Sequence, residues 1–339
     1  MNKKIIWFVV NPISGGISKK AVIKAIDEEM SPDRYAWRIC QTAYPGHGAV
    51  LATMAVENKV DVVVAIGGDG TINEIARSLL HTETALGIVP CGSGNGLARH
   101  LQIPLEFRRA LRLINDGRCV KVDYGLINKR PFFCTCGMGF DAEVSDRFSS
   151  SKQRGIQSYI EKTLLELAKY KPETYKIIDK HGEHEHKAFC IAFANASQYG
   201  NNAYIAPEAS MKDGLMDVTI VKPFPLIESA FMALMLFSGN FKKGMKHVET
   251  MRTDKLRIIR QKTGVAHCDG DPIVTDKIID IEIVPAGLKV ITNSDASAHP
   301  VSLIQTIGQQ VMPKVSTPTE MFRQMSRTIA NFWKTVNNN

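Results

Sequence analysis

The sequence predicts a two-domain α/β protein, in which a parallel-sheet domain precedes a β-sandwich-like one. Three observations carry this expectation. In the first third, short apolar runs alternate with Gly-rich turns and helical patterns, the texture of successive βαβ units. After about Asp123 the texture changes to β-rich runs joined by turns. The length, 339 residues, suits two domains. A composition of 44% hydrophobic and 22% charged residues, with 25 Gly and 15 Pro, excludes wholesale disorder, collagen and a polytopic membrane protein.

Residues 5–10 form the first apolar run, after Lys3-Lys4 and before Asn11-Pro12. The run is too short for a signal peptide or a spanning helix and reads as a buried strand. Residues 60–66 and 85–89 are the next clear strands, 37–40 is strand-like, and 118–123 leads across to the second domain. There, strands are expected at 132–136, 175–179, 188–194, 216–221, 255–260 and 278–284, with helices at 157–169 and 226–241. The expected division is 1–126, 127–294 and a tail, 295–339. In the tail, Thr317-Pro318-Thr319-Glu320 reads as a capped helix start. Met321, Phe322, Met325, Ile329, Phe332, Trp333 and Val336 then form one apolar stripe, with Arg323, Arg327 and Lys334 beside it.

Lys and Arg number 42 against 34 Asp and Glu, a net charge of +8 that attracts anions. Seven Cys without zinc-ligand spacing imply reduced thiols in a cytoplasmic protein, and Cys134 and Cys136 read as buried thiols sharing one face.

Three turns follow predicted strands: Asn11-Pro12-Ile13-Ser14-Gly15-Gly16, Gly67-Gly68-Asp69-Gly70-Thr71-Ile72-Asn73-Glu74, and Pro90-Cys91-Gly92-Ser93-Gly94-Asn95-Gly96. Glycines there let backbone N–H groups approach an anion, and each following helix start adds positive partial charge, so the turns together read as a phosphate cradle. Neither a P-loop nor a dinucleotide fingerprint follows a strand, so another loop serves the nucleotide. Asp69 inside this cradle is a candidate Mg²⁺ ligand, the alternative being a carboxylate that accepts backbone N–H bonds in a turn.

At these residues the chain resembles the diacylglycerol kinase catalytic family of lipid kinases, which includes bacterial diacylglycerol and YegS-like lipid kinases, sphingosine kinases and ceramide kinases. The matching motifs are the three turns, Ala206-Pro207 followed by Asp213-Gly214, and Asp269-Gly270-Asp271, in order over about residues 4–292. The resemblance implies an NAD kinase/phosphofructokinase-like first domain that binds ATP with Mg²⁺. It implies ATP contacts at Asn11, Pro12, Ser14, Gly15, Thr42, Gly67, Gly68, Asp69, Gly70, Thr71, Asn73 and Ser93, with Asp123 joining the acidic network. Asp271 stands where the family usually has Glu, the base that takes the proton of the lipid hydroxyl; here the carboxylate is one methylene shorter. Ser210, Asp213 and Leu215 match a structural Mg²⁺ site, for which a plain Asp-Gly turn is the alternative. Glu143 stands where sphingosine kinases place an acid that meets the sphingoid amine.

The acceptor expected from the resemblance is diacylglycerol or a sphingoid-base-like lipid. Its carrier would be an anionic membrane surface touched peripherally by 226–241 and the tail helix, with a homodimer as the other account of the tail stripe and no nucleic-acid partner. The competing readings are an NAD kinase-like enzyme with a soluble acceptor and a nucleotide-binding regulator without transfer activity. The tract His181-Gly182-Glu183-His184-Glu185-His186 is read as a solvated turn rather than a metal site, and 230–237 as a packed or lipid-facing helix.

Overall fold

Hydrophobic runs bounded by polar turns set the order of elements in the computed structural model, which describes residues 3–149, 170–241 and 244–293. The first half alternates β1 (Lys4–Val10), α1 (Lys19–Glu29), β2 (Tyr35–Gln41), α2 (His47–Glu57), β3 (Val62–Gly67), α3 (Asp69–Ser78) and β4 (Ala85–Pro90), followed by α4 (Gly96–His100) and α5 (Phe107–Asp116). The strands run parallel in the order β2-β1-β3-β4. Every residue of β3 and β4 is buried, which is why both read as unbroken apolar runs rather than alternating ones.

The second half begins with β5 (Arg118–Ile127), β6 (Arg130–Phe132), β7 (Thr135–Gly139) and α6 (Phe140–Ser149). It continues through β8 (Glu173–Asp179), β9 (Gly182–Ala188), β10 (Cys190–Ala194), β11 (Met216–Val221) and α7 (Ser229–Phe237). It closes with β12 (Val248–Thr253), β13 (Lys255–Arg260), β14 (Gly264–Cys268), β15 (Asp271–Thr275) and β16 (Ile278–Thr292). A second, antiparallel sheet has the order β12-β11-β10-β7-β14-β15. Its inner side chains, among them Cys136, Met138, Phe193 and Val218, share a core with Tyr175, Ile177, Ile258 and Ile279 of the first sheet. This is the sandwich that the sequence anticipates.

Four local expectations change. The strand expected at 278–284 runs on to Thr292, because a bulge between Val284 and Leu288 absorbs Pro285, Ala286 and Gly287. Beyond the bulge Val290 pairs in parallel with Leu86 of β4, so the last strand joins the N-terminal sheet. The strand expected at 132–136 is broken, since the N–H groups of Phe133 and Cys134 go to the Asp269 carboxylate instead of a ladder. That bend separates the two thiols: Cys134 lies in the N-terminal core and Cys136 in the sandwich core. The His181 to His186 tract is mostly strand β9 at the edge of the sheet, where exposed charged residues oppose edge-to-edge association. The helix expected at 157–169 and the tail after 293 lie outside the described residues.

Leu288, fully buried, stands where β16 passes from one core to the other. Leu288→Ala is expected to lower the unfolding free energy by about 2–5 kcal/mol in a denaturant titration, as buried leucine truncations do.

Candidate active site

The carboxyl ends of β1, β3 and β4 lie side by side, so the turns that follow them meet. Asn11 Nδ2 donates to Thr71 Oγ1 at 2.8 Å, joining the first turn to the second. Gly15 has φ +58°, and a Cβ there would fall inside the carbonyl of Cys91 in the third turn. Gly68 and Gly92 meet backbone to backbone: a Cβ on Gly92 would lie 2.8 Å from the Gly68 Cα. Such approaches exclude any side chain, and they assemble the N–H groups of three turns in one place.

Asp69 opens α3 and braces this assembly. Its Oδ2 accepts from Asn95 N and its Oδ1 from Gly96 N, both at 2.8 Å. Asn95, in the left-handed region at φ +52°, accepts from Gly92 N at 3.0 Å and donates to Gly92 O at 2.8 Å, holding the third turn closed. Lys19 Nζ donates to Ser14 O at 2.6 Å. Thr71 and Asn73 are buried within α3, whereas Pro12, Gly15, Gly70 and Ser93 are exposed at the rim. Thr42 follows β2 beside them, its N–H donating to Val10 O at 2.9 Å.

The second domain closes on the third turn. Asn201 N donates to Gly94 O, and Arg99 Nε donates to the same carbonyl at 3.0 Å while its Nη1 reaches Asn202 Oδ1. Burial lowers the Arg99 pKa, and Tyr204 and Asp69 act in the opposite direction.

Asp269-Gly270 makes the two-residue turn between β14 and β15, with φ +52° and +85°, the geometry that Asp-Gly favours in hairpins. Asp269 points inward and accepts from Phe133, Cys134 and Thr135 N–H groups at 2.7–3.1 Å. Burial pushes its carboxyl up to about 6 despite those three donors. Asp271, opposite Cys268, is exposed at the start of β15. Helix α6 packs on this hairpin and carries Glu143, half-buried, in its first turn. In the first turn of α6, Asp141 Oδ2 accepts from Tyr199 OH at 3.0 Å and lies 3.1 Å from His267 Nε2.

Asp123 occupies a different neighbourhood. It is buried, and its two oxygens accept from Gly214 N at 2.8 Å and Ala286 N at 2.7 Å, tying the Ser210 to Leu215 loop to the β16 bulge. In that loop, Ser210 Oγ accepts from Lys212 N and Asp213 Oδ1 from Leu215 N, while Asp213 Oδ2 pairs with Arg252. Arg252 also reaches Asp217, whose Oδ2 is buried without a partner. Both Asp213 oxygens are thus engaged, so a cation held by Ser210, Asp213 and Leu215 would have to take the place of Arg252 on Asp213 Oδ2. At the cradle the fit is of another kind. No cluster of three or more His, Cys, Asp or Glu side chains occurs among the described residues, so Mg²⁺ there would rest on Asp69 together with nucleotide oxygens and water.

Sequence reasoning named Asn95, Glu74 and Asp269 only as members of motifs, without a role for each, and did not name Arg99 or Lys19. Asn95 and Asp269 carry local signals, an Asn between two glycines and an Asp before a glycine, since Asn and Asp are the residues after Gly best suited to the left-handed region. The seven cysteines are free, and burial raises the thiol pKa of each, that of Cys268 to about 12.

Residues 5–127 match the diacylglycerol kinase catalytic domain, and residues 134–292 match the YegS C-terminal NAD kinase beta sandwich-like domain. A Mycobacterium tuberculosis (strain CDC 1551 / Oshkosh) protein named "Diacylglycerol kinase" is 30% identical over 255 residues, covering 71% of this chain and 80% of that one. A Pectobacterium atrosepticum protein named "Probable lipid kinase YegS-like" is 29% identical over 270 residues, covering 77% and 87%. A crystal structure described as a diacylglycerol kinase from Bacillus anthracis str. Sterne superposes with a TM-score of 0.67 at 19% identity, over 87% of this chain and 98% of that one, and shares the fold. The chain belongs to the diacylglycerol kinase catalytic family and is a kinase, a membership that implies use of ATP.

Burial pushes the Asp217 carboxyl up from its ordinary 3.8 to about 6, with Arg252 pulling the other way. Between those values the folded state holds the proton more tightly than the unfolded state, so this group's contribution to stability falls as pH rises from about 4 to about 6. Replacing Asp217→Asn removes that dependence. The variant's unfolding free energy relative to wild type is expected to climb across this window and level off above it, measured by urea titration at each pH; a difference independent of pH contradicts the assignment.

Proposed function

We propose that the protein transfers the γ-phosphoryl of ATP to a hydroxyl of diacylglycerol or a sphingoid-base-like lipid, with Mg²⁺. The observation that carries this reading is the three-turn cradle with Asp69 at the start of α3, joined through Asn95, Gly96 and Arg99 to the second domain. Backbone N–H groups of the three turns, among them those of Gly15, Gly68, Gly70, Ser93 and Gly94, would bind the phosphates, with Thr42 at their edge. Asp69 would hold Mg²⁺, which would supply positive charge against the phosphate charge during transfer. Asp271 takes the proton of the acceptor hydroxyl as its oxygen bonds to the γ-phosphorus, and ADP leaves. Glu143, on the helix packed against the same hairpin, faces a polar headgroup, and an amine there would favour a sphingoid base. Asp123 acts by fixing the Asp213-Gly214 turn, where Ser210, Asp213 and Leu215 would hold a second, structural Mg²⁺.

A lipid acceptor is supported by the apolar surface of the second domain. Ile227 is 83% and Phe231 54% exposed, four positions apart on the approach to α7 and on α7 itself. No helix among the described residues is long and apolar enough to cross a membrane. The protein would work peripherally on an anionic cytoplasmic leaflet through this surface and the basic tail, whose sequence pattern is that of an amphipathic helix and would alternatively serve a homodimer.

Incubation with ATP, Mg²⁺ and a panel of lipid alcohols and NAD, with mass detection, tests the reading: a phosphorylated lipid is expected, and phosphorylation of NAD alone would overturn it. Asp69→Asn keeps one acceptor for the third turn but loses the charge, and turnover should drop by at least about 100-fold with the melting curve still cooperative. Wild-type turnover would remove Asp69 from the mechanism. For the shorter acid, Asp271→Asn is expected to cost about 10² to 10⁴-fold in kcat with ATP affinity unchanged, while Asp271→Glu remains active. Equal loss in both would mark a structural carboxylate.

A further inference from the structure

We propose that Tyr44 is the seat of the nucleotide's purine base, which stacks on the ring's open face with Ile13 of the neighbouring turn beside it. The inference rests on the nucleotide reading above and names two side chains, of Tyr44 and Ile13, to which neither the phosphate cradle nor the acceptor site gives a role.

Tyr44 lies in the loop between β2 and α2. Its ring is stacked on that of His47, centroids 4.6 Å apart and planes within 5°. Although His47 covers one face, Tyr44 remains 57% exposed, so the exposure belongs to the other face and the edge. An exposed aromatic on a loose loop would be unremarkable, but this loop is fixed at four points. Thr42 N donates to Val10 O at 2.9 Å, and Ala43 N to His47 Nδ1 at 3.0 Å. His47 N donates to Tyr44 O at 3.1 Å, and Gly46 N to Glu74 Oε1 at 3.0 Å. Because His47 Nδ1 accepts a hydrogen bond, the neutral ring carries its proton on Nε2, and the stacked pair keeps one orientation. Glu74 belongs to α3, the helix that Asp69 opens, so the aromatic loop and the phosphate loop are held by one rigid element.

The placement matches the ligand. Val10 and Gln41 are register partners, so the turns leaving β1 and β2 emerge side by side at the carboxyl edge of the sheet. Ile13, in the turn after β1, is 87% exposed, a large apolar side chain held out from the cradle wall, with its own N–H donating to Asn11 Oδ1 at 3.1 Å. In this proposal the ribose extends from the three glycine turns toward the turn after β2, where the exposed Tyr44 ring stands. An aromatic face and an aliphatic side chain on adjacent turns are the surfaces a flat purine needs, since base stacking on aromatics is strong and requires no base-specific hydrogen bonds.

The test separates base from phosphate. Wild-type, Tyr44→Ala and Tyr44→Phe proteins are titrated calorimetrically with ATP and with inorganic tripolyphosphate, both with Mg²⁺, and their melting curves are compared. The expected result is that Tyr44→Ala weakens ATP by about 10-fold, leaves tripolyphosphate within about two-fold, and Tyr44→Phe behaves as wild type. Equal weakening of both probes, or of neither, would overturn the base seat while leaving the cradle in place. Wild-type protein that binds neither probe would overturn the nucleotide reading itself, and the base seat with it.

Discussion

The arrangement depends on backbone packed against backbone. Gly15 presses on the Cys91 carbonyl and Gly92 on Gly68, so three turns from three strands meet at points where neither Gly15 nor Gly92 has room for a Cβ. Contact this close brings peptide dipoles together, and it needs a compensating charge and fixed geometry. Asp69 supplies both by accepting the N–H groups of Asn95 and Gly96. The same carboxylate thus carries the negative charge a nucleotide-bound cation would meet and holds the turns that would bind the phosphates.

Buried or half-buried acids repeat this bracing role across the molecule. Asp123 fastens the Asp213-Gly214 turn to the β16 bulge, and Asp269 gathers three N–H groups of the bend at Phe133 to Thr135. Both sit where the chain passes between the two cores, at places where a bulge or bend takes N–H groups out of a ladder. A carboxylate accepts several such donors without needing one in return, which suits it to irregular backbone. The second domain is tied to the first by hydrogen bonds at the active-site edge and by β16, a strand shared between the two cores, while the hairpin that carries Asp271 belongs to the second, six-stranded sheet.

Much of the fold was legible because buried parallel strands leave unmistakable traces: β3 and β4 are apolar throughout, and each ends in glycine-rich turns. The parts that escaped depend on partners distant in sequence. Pro285 and Gly287 look like a strand end, and only the Asp123 contact to Ala286 N explains how β16 continues past them. Cys134 and Cys136 look like neighbours on one face until Asp269, far along the chain, takes the intervening N–H groups. In the candidate site, the glycine turns could be read from local pattern, and the contacts of Asp69 are those of the weighed alternative, a carboxylate that accepts backbone N–H bonds in a turn. Asp123, Ser210, Asp213 and Leu215 came forward through resemblance, since an Asp before a turn says nothing by itself. Glu74 and Arg99, whose bonds to Gly46 N and to Asn202 span domains or turns, had no local signature.

The central claim is that the three turns form a single binding unit, and amide hydrogen exchange with and without ATP and Mg²⁺ addresses it most directly. The account predicts that residues 11–16, 67–71 and 92–96 gain protection together, at one nucleotide concentration dependence. Protection confined to one turn, or appearing outside all three, would contradict it.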